Sequence, residues 1–369
     1  MRLRNVWVLG CLIACGAWAH DTTQGGAVTP LAPTRSTAPV AHDPDDPAVW
    51  VNARQPERSL ILGTDKIARR GGLYVFGLDG AVRQVITPLD RPNNVDVEYG
   101  LALKGIGTDI AVVTERKKHR LRVFGIPGNG GTLIDLAPAG IRVLEGQMGE
   151  ESEPMGIALY RRPADAAIFA IVAPKTGGTT NYLWQYRLTD DGAGRVTGTL
   201  VRRFGAFSRA GGLLDAGEIE AVAVDDALGF VYYSDERFGI RKYRADPDAP
   251  DAATELASFG TDGYEGDREG LAIYPTGPKT GYLVSTDQVP GATRVIVYRR
   301  EGEPGRPHSH PRLATILTSS DGTDGLEAVA TPLPGLPHGM LVMMTSGPKA
   351  FLLYDWDRLA DRIRLSAMR

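Results

Sequence analysis

The sequence predicts an all-β fold, a six-bladed β-propeller of four-stranded antiparallel blades. A carboxylate followed by a short apolar run occurs six times, at intervals of 49 to 67 residues. A second run, rich in Val, Ile and Tyr and closed by turn residues, follows each of them. No unit contains an amphipathic helical pattern, so each is expected to hold three or four strands. Six such units bury a common core when they close into a ring.

The strands of the six units can be placed in chain order. The first strands are DPAVWV (from Asp46), DVEYGLAL (Asp96), EPMGIALY (Glu153), EAVAVDD (Glu220), EGLAIY (Glu269) and EAVATP (Glu327). The later, aromatic strands start at Gly72, His119, Asn181, Gly239, Thr293 and Ala350. We expect residues 34–41 to add the strand that completes the last blade. A pair of β-sandwiches is the alternative, which six ordered recurrences of two linked patterns disfavour.

The N-terminal segment has the pattern of an export signal. Residues 1–19 carry two arginines, an apolar run and a small-x-small cleavage site that ends at Ala19. A lipoprotein signal with Cys15 as the lipid acceptor is the alternative. We therefore expect an exported protein, periplasmic or secreted, or one anchored by lipid through Cys15. Residues 20–40 are expected to form a flexible leader, and residues 41–369 a single propeller domain.

Composition excludes several classes of function. The net charge is −3 and 43% of the residues are hydrophobic, which is typical of a soluble globular protein. The absence of a basic excess argues against nucleic-acid binding, and no run is long enough to span a membrane. Cys11 and Cys15 are the two cysteines of the chain, and cleavage after Ala19 removes both. Disulfides, thiolate metal sites and cysteine nucleophiles are then excluded, and we expect a monomer.

The repeated carboxylates predict a cation site. The first strand of each propeller blade lines the central channel, so six carboxylates are expected to converge at one end of it. Such a cluster does not stay fully ionised unless cations bind, because like charges raise one another's pKa. All the donors are oxygen atoms, which favours several Ca²⁺ ions. Further acids close the second strands and are expected at the same mouth: Asp65, Glu115, Asp235 and Glu236.

Basic residues at the ends of three second strands predict an anionic ligand. Lys66 follows LGTD, Arg116 follows VVTE, and Lys175 follows IVAP. Because these positions match in neighbouring units, the three side chains are expected to face one mouth. Phosphate oxygens suit a site of this kind, since they bridge Ca²⁺ ions and bind Lys and Arg.

These residues resemble the β-propeller phytases, the calcium-dependent alkaline phytases of bacteria. The resemblance covers about residues 42 to 345. Two segments carry it most specifically: EIEAVAVDDALGFVYYSDERFGIRKY and DREGLAIY. Shorter matches are DDPAVWVN, GGLYVFGLDG, RPNNVDVEYG, EPMGIALY and DGTDG. The chain departs from the family pattern at Ile67, where the family has lysine, and at Met155, where it has tyrosine.

The resemblance implies stepwise release of phosphate from myo-inositol hexakisphosphate (phytate) or lower inositol phosphates. It implies a Ca²⁺-activated water as the nucleophile and no covalent intermediate. Lys66, Arg116 and Lys175 match the phosphate-binding bases, and Glu220, Glu236 and Asp46 are the candidate catalytic residues. The candidate Ca²⁺ ligands are Asp45, Asp46, Asp96, Glu220, Glu236, Glu269, Asp321 and Asp324.

Two other functions remain open from the sequence. One is a Ca²⁺-dependent lactonase or esterase, in which Asn93, Asn94 and Asp96 ligate a single buried Ca²⁺. The other is a propeller that binds polyanions without catalysis. Phosphate release distinguishes the phytase from the lactonase, and loss of turnover on chelation distinguishes both enzymes from the binding protein.

Overall fold

The computed structural model describes residues 29–208 and 217–367, and in them six antiparallel sheets surround a central channel. The predicted six-bladed propeller is therefore confirmed. The predicted export signal, residues 1–19, lies outside the described residues.

The first three blades follow the chain from residue 44, with the first strand of each innermost. Blade 1 contains β2 (Pro44–Trp50), β3 (Leu60–Asp65), β4 (Gly71–Gly77) and β5 (Val82–Leu89). Blade 2 contains β6 (Pro92–Leu103), β7 (Ile106–Glu115), β8 (Arg120–Ile126) and two short outer strands, β9 (Ile134–Asp135) and β10 (Ile141–Arg142). Blade 3 contains β11 (Pro154–Arg161), β12 (Ile168–Pro174), β13 (Thr180–Asp190) and β14 (Val196–Ala206).

The other three blades repeat this order. Blade 4 contains β15 (Val222–Asp225), β16 (Phe230–Asp235), β17 (Gly239–Arg244) and β18 (Ala257–Phe259). Blade 5 contains β19 (Leu271–Pro275), β20 (Gly281–Val289), β21 (Ala292–Arg299) and β22 (Arg312–Thr318). Blade 6 contains β23 (Leu326–Val329), β24 (Met340–Thr345), β25 (Ala350–Asp355) and, outermost, β1 (Arg35–Ser36).

The core lies between the blades rather than within any one of them. Six apolar clusters each join two neighbouring blades, and the innermost strands contact one another around the channel. Middle strands are therefore covered on both faces. All seven residues of Ile168–Pro174 are buried, which explains why this strand is apolar throughout instead of alternating.

The N-terminal strand closes the ring, as predicted. Arg35 and Ser36 pair antiparallel with β25, and the backbone of Leu31 bridges to Thr318. Val40 is buried in the cluster between blades 6 and 1. Residues 29–40, assigned to the leader from composition, thus lie on the propeller because their apolar side chains and backbone groups complete the last blade.

A C-terminal helix, α1 (Trp356–Ala367), follows the last blade and was not predicted from the sequence. Trp356 stacks on Tyr274 with ring centroids 3.4 Å apart, and Leu359 and Ile363 are buried in the cluster between blades 5 and 6. Within the described residues, no helix combines the length and hydropathy that crossing a membrane requires.

Candidate active site

The same hydrogen bond aligns the first strands of three blades and locates equivalent positions at the channel mouth. A backbone amide in the first strand, or directly before it, donates to a threonine hydroxyl of the second: Asp46 to Thr64 (3.1 Å), Asn94 to Thr114 (3.0 Å) and Gly270 to Thr286 (2.7 Å). Backbone pairing puts Gly156, Ala221 and Gly325 at the same level in the other blades. The residue before each forms an inner ring: Asp45, Asn93, Met155, Glu220, Glu269 and Asp324.

The residues at the ends of the second strands form an outer ring at the same end of the channel. All six are located by a backbone amide that donates to a carbonyl in the segment before the first strand of the same blade. They are Lys66, Arg116, Lys175, Glu236, Gln288 and Ser346. The outer ring is therefore basic over blades 1 to 3. Of the acids in the two rings, all except Asp45 lie on blades 4 to 6. The inner ring, except Asp45, and the outer-ring residues Lys66, Arg116, Lys175 and Glu236 border a cavity of about 520 Å³, which we call the mouth cavity.

The expected convergence of the six repeated carboxylates is wrong for four of them. Glu220 and Glu269 lie in the inner ring, but Asp46, Asp96 and Glu327 line a separate channel cavity of about 340 Å³. Glu153 pairs with Arg116 at the side of the mouth. The repeated acids stand at different positions along the chain relative to the inner-ring residue of their blade. Because the side-chain direction changes with each residue along a strand, they face different places.

β-Bulges at the mouth explain the register of the first three blades. The pairing of first and second strands shifts between Pro44 and Pro47, and equivalent shifts follow Pro92 and Pro154. A bulge adds an unpaired residue and changes the direction of neighbouring side chains. Asp45 consequently contacts Lys66 of the outer ring, whereas the adjacent Asp46 faces the channel and accepts a hydrogen bond from Val95 N at 3.0 Å.

The acids that end the second strands have structural contacts, contrary to the expectation for Asp65, Glu115 and Asp235. Each is almost fully buried and accepts a hydrogen bond from a backbone amide in the loop before its own blade. Each also contacts a basic side chain: His42 to Asp65 (2.8 Å), Arg120 to Glu115 (2.6 Å) and Arg241 to Asp235 (2.9 Å). These three acids hold the loops that support the mouth, and their carboxylate oxygens are engaged in those contacts.

Of the two C-terminal acids in the predicted ligand set, the structure brings Asp324 alone to the mouth. Its Oδ1 accepts a hydrogen bond from Gln288 Nε2 at 2.9 Å, and its Oδ2 pairs with Lys66. Asp321 is exposed and does not line the mouth cavity.

Lys66 joins acids of two blades. Its ammonium group lies 2.9 Å from Asp45 Oδ1 and also pairs with Asp324. Burial lowers the pKa of Lys66, but Asp45, Glu220 and Asp324 outweigh that effect and raise it. Asp45 is fully buried, and its other oxygen, Oδ2, has no hydrogen-bond partner among the described residues. Burial raises the pKa of Asp45, which Lys66 opposes.

Three glutamates complete the acidic side. Burial raises the pKa of Glu220 to about 7, with Lys66 opposing the shift and Asp324 adding to it. Glu220 also accepts a hydrogen bond from Asn93, across the channel. Burial raises the pKa of Glu269 and Glu236 as well, and the negative charge of Glu236 adds to the shift of Glu269.

The basic side is held in place by its own partners. The Arg116 guanidinium donates to Glu153 Oε2 at 3.1 Å and to Asn93 Oδ1 at 3.1 Å, and its side chain is buried. Lys175 pairs with Glu218. Burial and the neighbouring Arg116 lower the pKa of Lys175.

The donors of the mouth fit a hard cation. They are carboxylate and amide oxygens, the ligands that Ca²⁺ prefers, and the unpartnered Oδ2 of Asp45 lacks a donor or a cation. As they stand, no three carboxylate or imidazole groups within residues 29–208 and 217–367 are arranged to hold one ion. Lys66 lies between Asp45 and Asp324 in this conformation, so an ion shared by these two acids requires its ammonium group to move.

The structure adds charged residues that the sequence analysis missed. Arg91, Glu218 and Asp267 line the mouth cavity, and each lies two positions before an inner-ring residue. Arg237 also lines it and pairs with Asp267. A signal was present in RPNN, EIE and DRE, since a charge stands two residues before Asn93, Glu220 and Glu269.

Comparison with known proteins adds an independent finding. The model of the family described as Phytase matches residues 9–345 of the chain. The 3-phytase of Bacillus subtilis (strain 168) is 29% identical over 339 residues, which is 86% of this chain and 81% of that protein.

Two solved structures have lower similarity. A putative 6-phosphogluconolactonase from Bacteroides fragilis NCTC 9343 is 12% identical, with a TM-score of 0.49 and 84% of each chain covered. The β-propeller domain of Cps50 (Swd1) from Myceliophteria thermophila is 9% identical, with a TM-score of 0.46, and the match covers 87% of this chain and 85% of that domain. Similarity at this level supports no conclusion about function.

Proposed function

Since the chain belongs to the phytase family, whose members are phosphoric monoester hydrolases, we propose that it releases phosphate stepwise from phytate in a Ca²⁺-dependent reaction. One observation carries the proposal beyond the family: apart from Arg237 on blade 4 and Glu150 before blade 3, the charged residues that border the mouth cavity are bases on blades 1 to 3 and acids on blades 4 to 6. A site divided in this way suits cations on one side and phosphate oxygens on the other.

Asp45, Glu220, Glu236, Glu269 and Asp324 would hold the ions. Their oxygens converge from four blades, and burial raises the pKa of several of them, so bound cations would relieve their mutual repulsion. When bound, Ca²⁺ supplies a Lewis acid that activates water and neutralises charge on the phosphoryl oxygens.

Lys66, Arg116 and Lys175 would bind the phosphoryl oxygens. Arg116 is fixed by Glu153 and Asn93, so little side-chain entropy is lost when it binds a phosphate. Lys66 and Lys175 oppose the raised pKa of Glu220, and this closeness to the acids supports a role for both beside the reacting phosphate. Positive charge there stabilises the transition state of phosphoryl transfer. Asp46 lies in the channel, and this position supports a role for its carboxylate behind the mouth cavity.

We also propose that the protein acts outside the cytoplasm. The support is the export pattern of residues 1–19, with the lipid-anchored form through Cys15 as the alternative.

The test is phosphate release from phytate near neutral pH, with Ca²⁺ and with excess chelator. Wild-type protein is expected to release phosphate with Ca²⁺ and to stop on chelation. Glu220→Gln is expected to lose about 100-fold in rate, because an inner-ring carboxylate is removed. Glu145→Gln is the matched control, since Glu145 is highly exposed and does not line the mouth cavity. Release that persists at full rate in chelator would contradict Ca²⁺ dependence, and absence of release in every condition would contradict the phytase activity.

A further inference from the structure

A second cavity lies beside the mouth cavity, where the connection between blades 2 and 3 meets the outer strands of blade 3. Its volume is about 190 Å³, and we call it the rim cavity. Thr176 lines both cavities, so the two adjoin. Among its described lining residues, none is proposed to bind phosphate or Ca²⁺, and the rim cavity is therefore a separate place in the fold.

The rim cavity is lined by polar side chains that the protein does not use in its own hydrogen bonds. They come from the connection between the two blades, the loop after β12 and strands β13 and β14: Gln147, Glu151, Thr176, Thr180, Asn181 and Arg203. In the part of the chain that the structure describes, none of these six side chains makes a hydrogen bond or an ion pair. Gln147, Glu151 and Thr176 are partly buried, so water reaches them less freely than it reaches an exposed side chain. A ligand can therefore bind these groups without displacing an internal partner.

Trp184 holds Arg203 in place at the rim cavity. The two residues pair between β13 and β14, and the guanidinium carbon of Arg203 lies 3.6 Å from the centroid of the Trp184 ring. A guanidinium stacked on an aromatic face loses little freedom when a ligand binds to its N–H groups. Trp184 is buried and Arg203 is exposed, so a ligand meets the guanidinium rather than the face of the indole.

The charges of the rim cavity balance, unlike those of the basic side of the mouth. Glu151 and Arg203 are the one acid and the one base among the described residues that line it. A site without net charge does not favour a phosphate dianion, which needs an excess of cations. The other polar side chains are hydroxyl and amide groups, which both donate and accept hydrogen bonds. A neutral ligand rich in hydroxyl groups matches this set, because each of its hydroxyls also donates and accepts.

The size of the rim cavity limits the ligand to about one ring. Pockets for drug-sized molecules measure about 300–1,000 Å³, and this cavity is smaller. We propose that the rim cavity is a carbohydrate-binding site for one neutral sugar unit of a polysaccharide. Because the two cavities adjoin, a bound polysaccharide holds the protein with its mouth close to the carbohydrate surface.

Calorimetry on the full chain measures the binding of neutral oligosaccharides built from α-glucose, β-glucose, mannose, galactose, xylose or arabinose. Oligogalacturonate and inorganic phosphate are the anionic comparison ligands. Wild-type protein is compared with Arg203→Ala, with Glu151→Gln and with Arg187→Ala as the control. Arg187 is an exposed arginine of the same blade, on β13, and does not line the rim cavity. Glu151→Gln keeps the shape of the side chain, so it tests the site even where Arg203→Ala is unstable in thermal unfolding.

At least one neutral oligosaccharide should bind the wild-type protein. Its Kd should rise about tenfold in Arg203→Ala and in Glu151→Gln, because each substitution removes a charged partner of the sugar hydroxyls. Arg187→Ala should leave the Kd unchanged. The proposal is overturned if no neutral oligosaccharide binds, or if both rim-cavity variants bind it as tightly as wild type. It is also overturned if an anionic ligand binds more tightly than every neutral sugar and loses that binding in Arg203→Ala, since the cavity would then select an anion.

The binding measurement is independent of the proposed function, because it is made in chelator and without phytate. Arg203→Ala should also release phosphate from phytate in Ca²⁺ at the wild-type rate, since Arg203 does not line the mouth cavity. If a neutral oligosaccharide binds as expected and phosphate release is absent, the carbohydrate site holds and the proposed function does not. If phosphate is released and no neutral oligosaccharide binds, the proposed function holds and the carbohydrate site does not.

Discussion

At the scale of single residues, the clearest result is that neighbouring Asp45 and Asp46 have different environments. Asp45 is fully buried and pairs with Lys66, and its Oδ2 has no hydrogen-bond partner in the part of the chain that the structure describes. Asp46 is half-buried, faces the channel and is hydrogen-bonded to Val95 N. Asp45 is therefore the acid of blade 1 that is poised for a cation at the mouth, and its charge is costly while no divalent ion compensates it.

Asp45→Asn should separate stability from cation binding. Without Ca²⁺ the variant should be as stable as wild type or more stable, because a buried carboxylate whose pKa is raised by burial becomes a neutral amide. With Ca²⁺ its thermal midpoint should rise less than that of wild type, and phosphate release should fall at least tenfold. Thermal unfolding with Ca²⁺ and with chelator measures both effects. A full Ca²⁺-induced increase in the variant would rule out Asp45 as a ligand.

At the scale of elements, the junction between blades 1 and 6 depends on a close approach. Gly63 of β3 lies against the Phe351 ring of β25, and a Cβ atom built on Gly63 would be 2.1 Å from Phe351 Cε2. Phe351 also packs edge-on to Phe76, so the ring has little room to move. The glycine is needed here because the two blades that close the ring approach closely at this point.

Gly63→Ala should therefore destabilise the protein. Overpacking of this kind costs about 1–3 kcal/mol. Urea unfolding should show a lower midpoint with an unchanged slope, which means that the same surface is exposed on unfolding. Gly128→Ala is the control, since a Cβ there meets nothing within 4 Å. An equal effect of the two substitutions would show that the contact with Phe351 is not the cause.

At the scale of the whole molecule, acids along the channel couple stability to pH. Burial raises the pKa of Asp96 to about 7, of Glu327 to about 8 and of Glu98 to about 9. These groups hold protons in the folded protein at pH values where the unfolded chain has already released them. Stability without divalent ions must then fall as pH rises through this range.

We expect the free energy of unfolding in chelator to decrease from pH 6.5 to pH 8. Lys242, whose pKa burial lowers to about 8, has the opposite effect above that range. Glu98→Gln should flatten the decrease, and the exposed-site control Glu145→Gln should leave it unchanged. Urea titrations at several pH values measure the slope. A constant or rising free energy of unfolding between pH 6.5 and 8 would contradict the predicted linkage.

Much of this architecture follows from the sequence. Local pattern predicts six blades, since strand periodicity and turn residues repeat whatever the neighbours are. Position within a unit also places Lys66, Arg116 and Lys175 correctly, because all three directly follow the end of a second strand. The resemblance to the phytases rests on contiguous segments, and these are readable without coordinates.

The tertiary structure decided which acids meet. Side chains alternate along a strand and a bulge interrupts the alternation, so a one-residue difference moves a carboxylate from the mouth to the channel, as it does for Asp45 and Asp46. Lys66 and Asp324 are 258 positions apart in the chain and pair because the ring closes between blades 1 and 6. Among the described residues the Arg91 Nε has no hydrogen-bond partner, and this too depends on neighbours that come from separate blades.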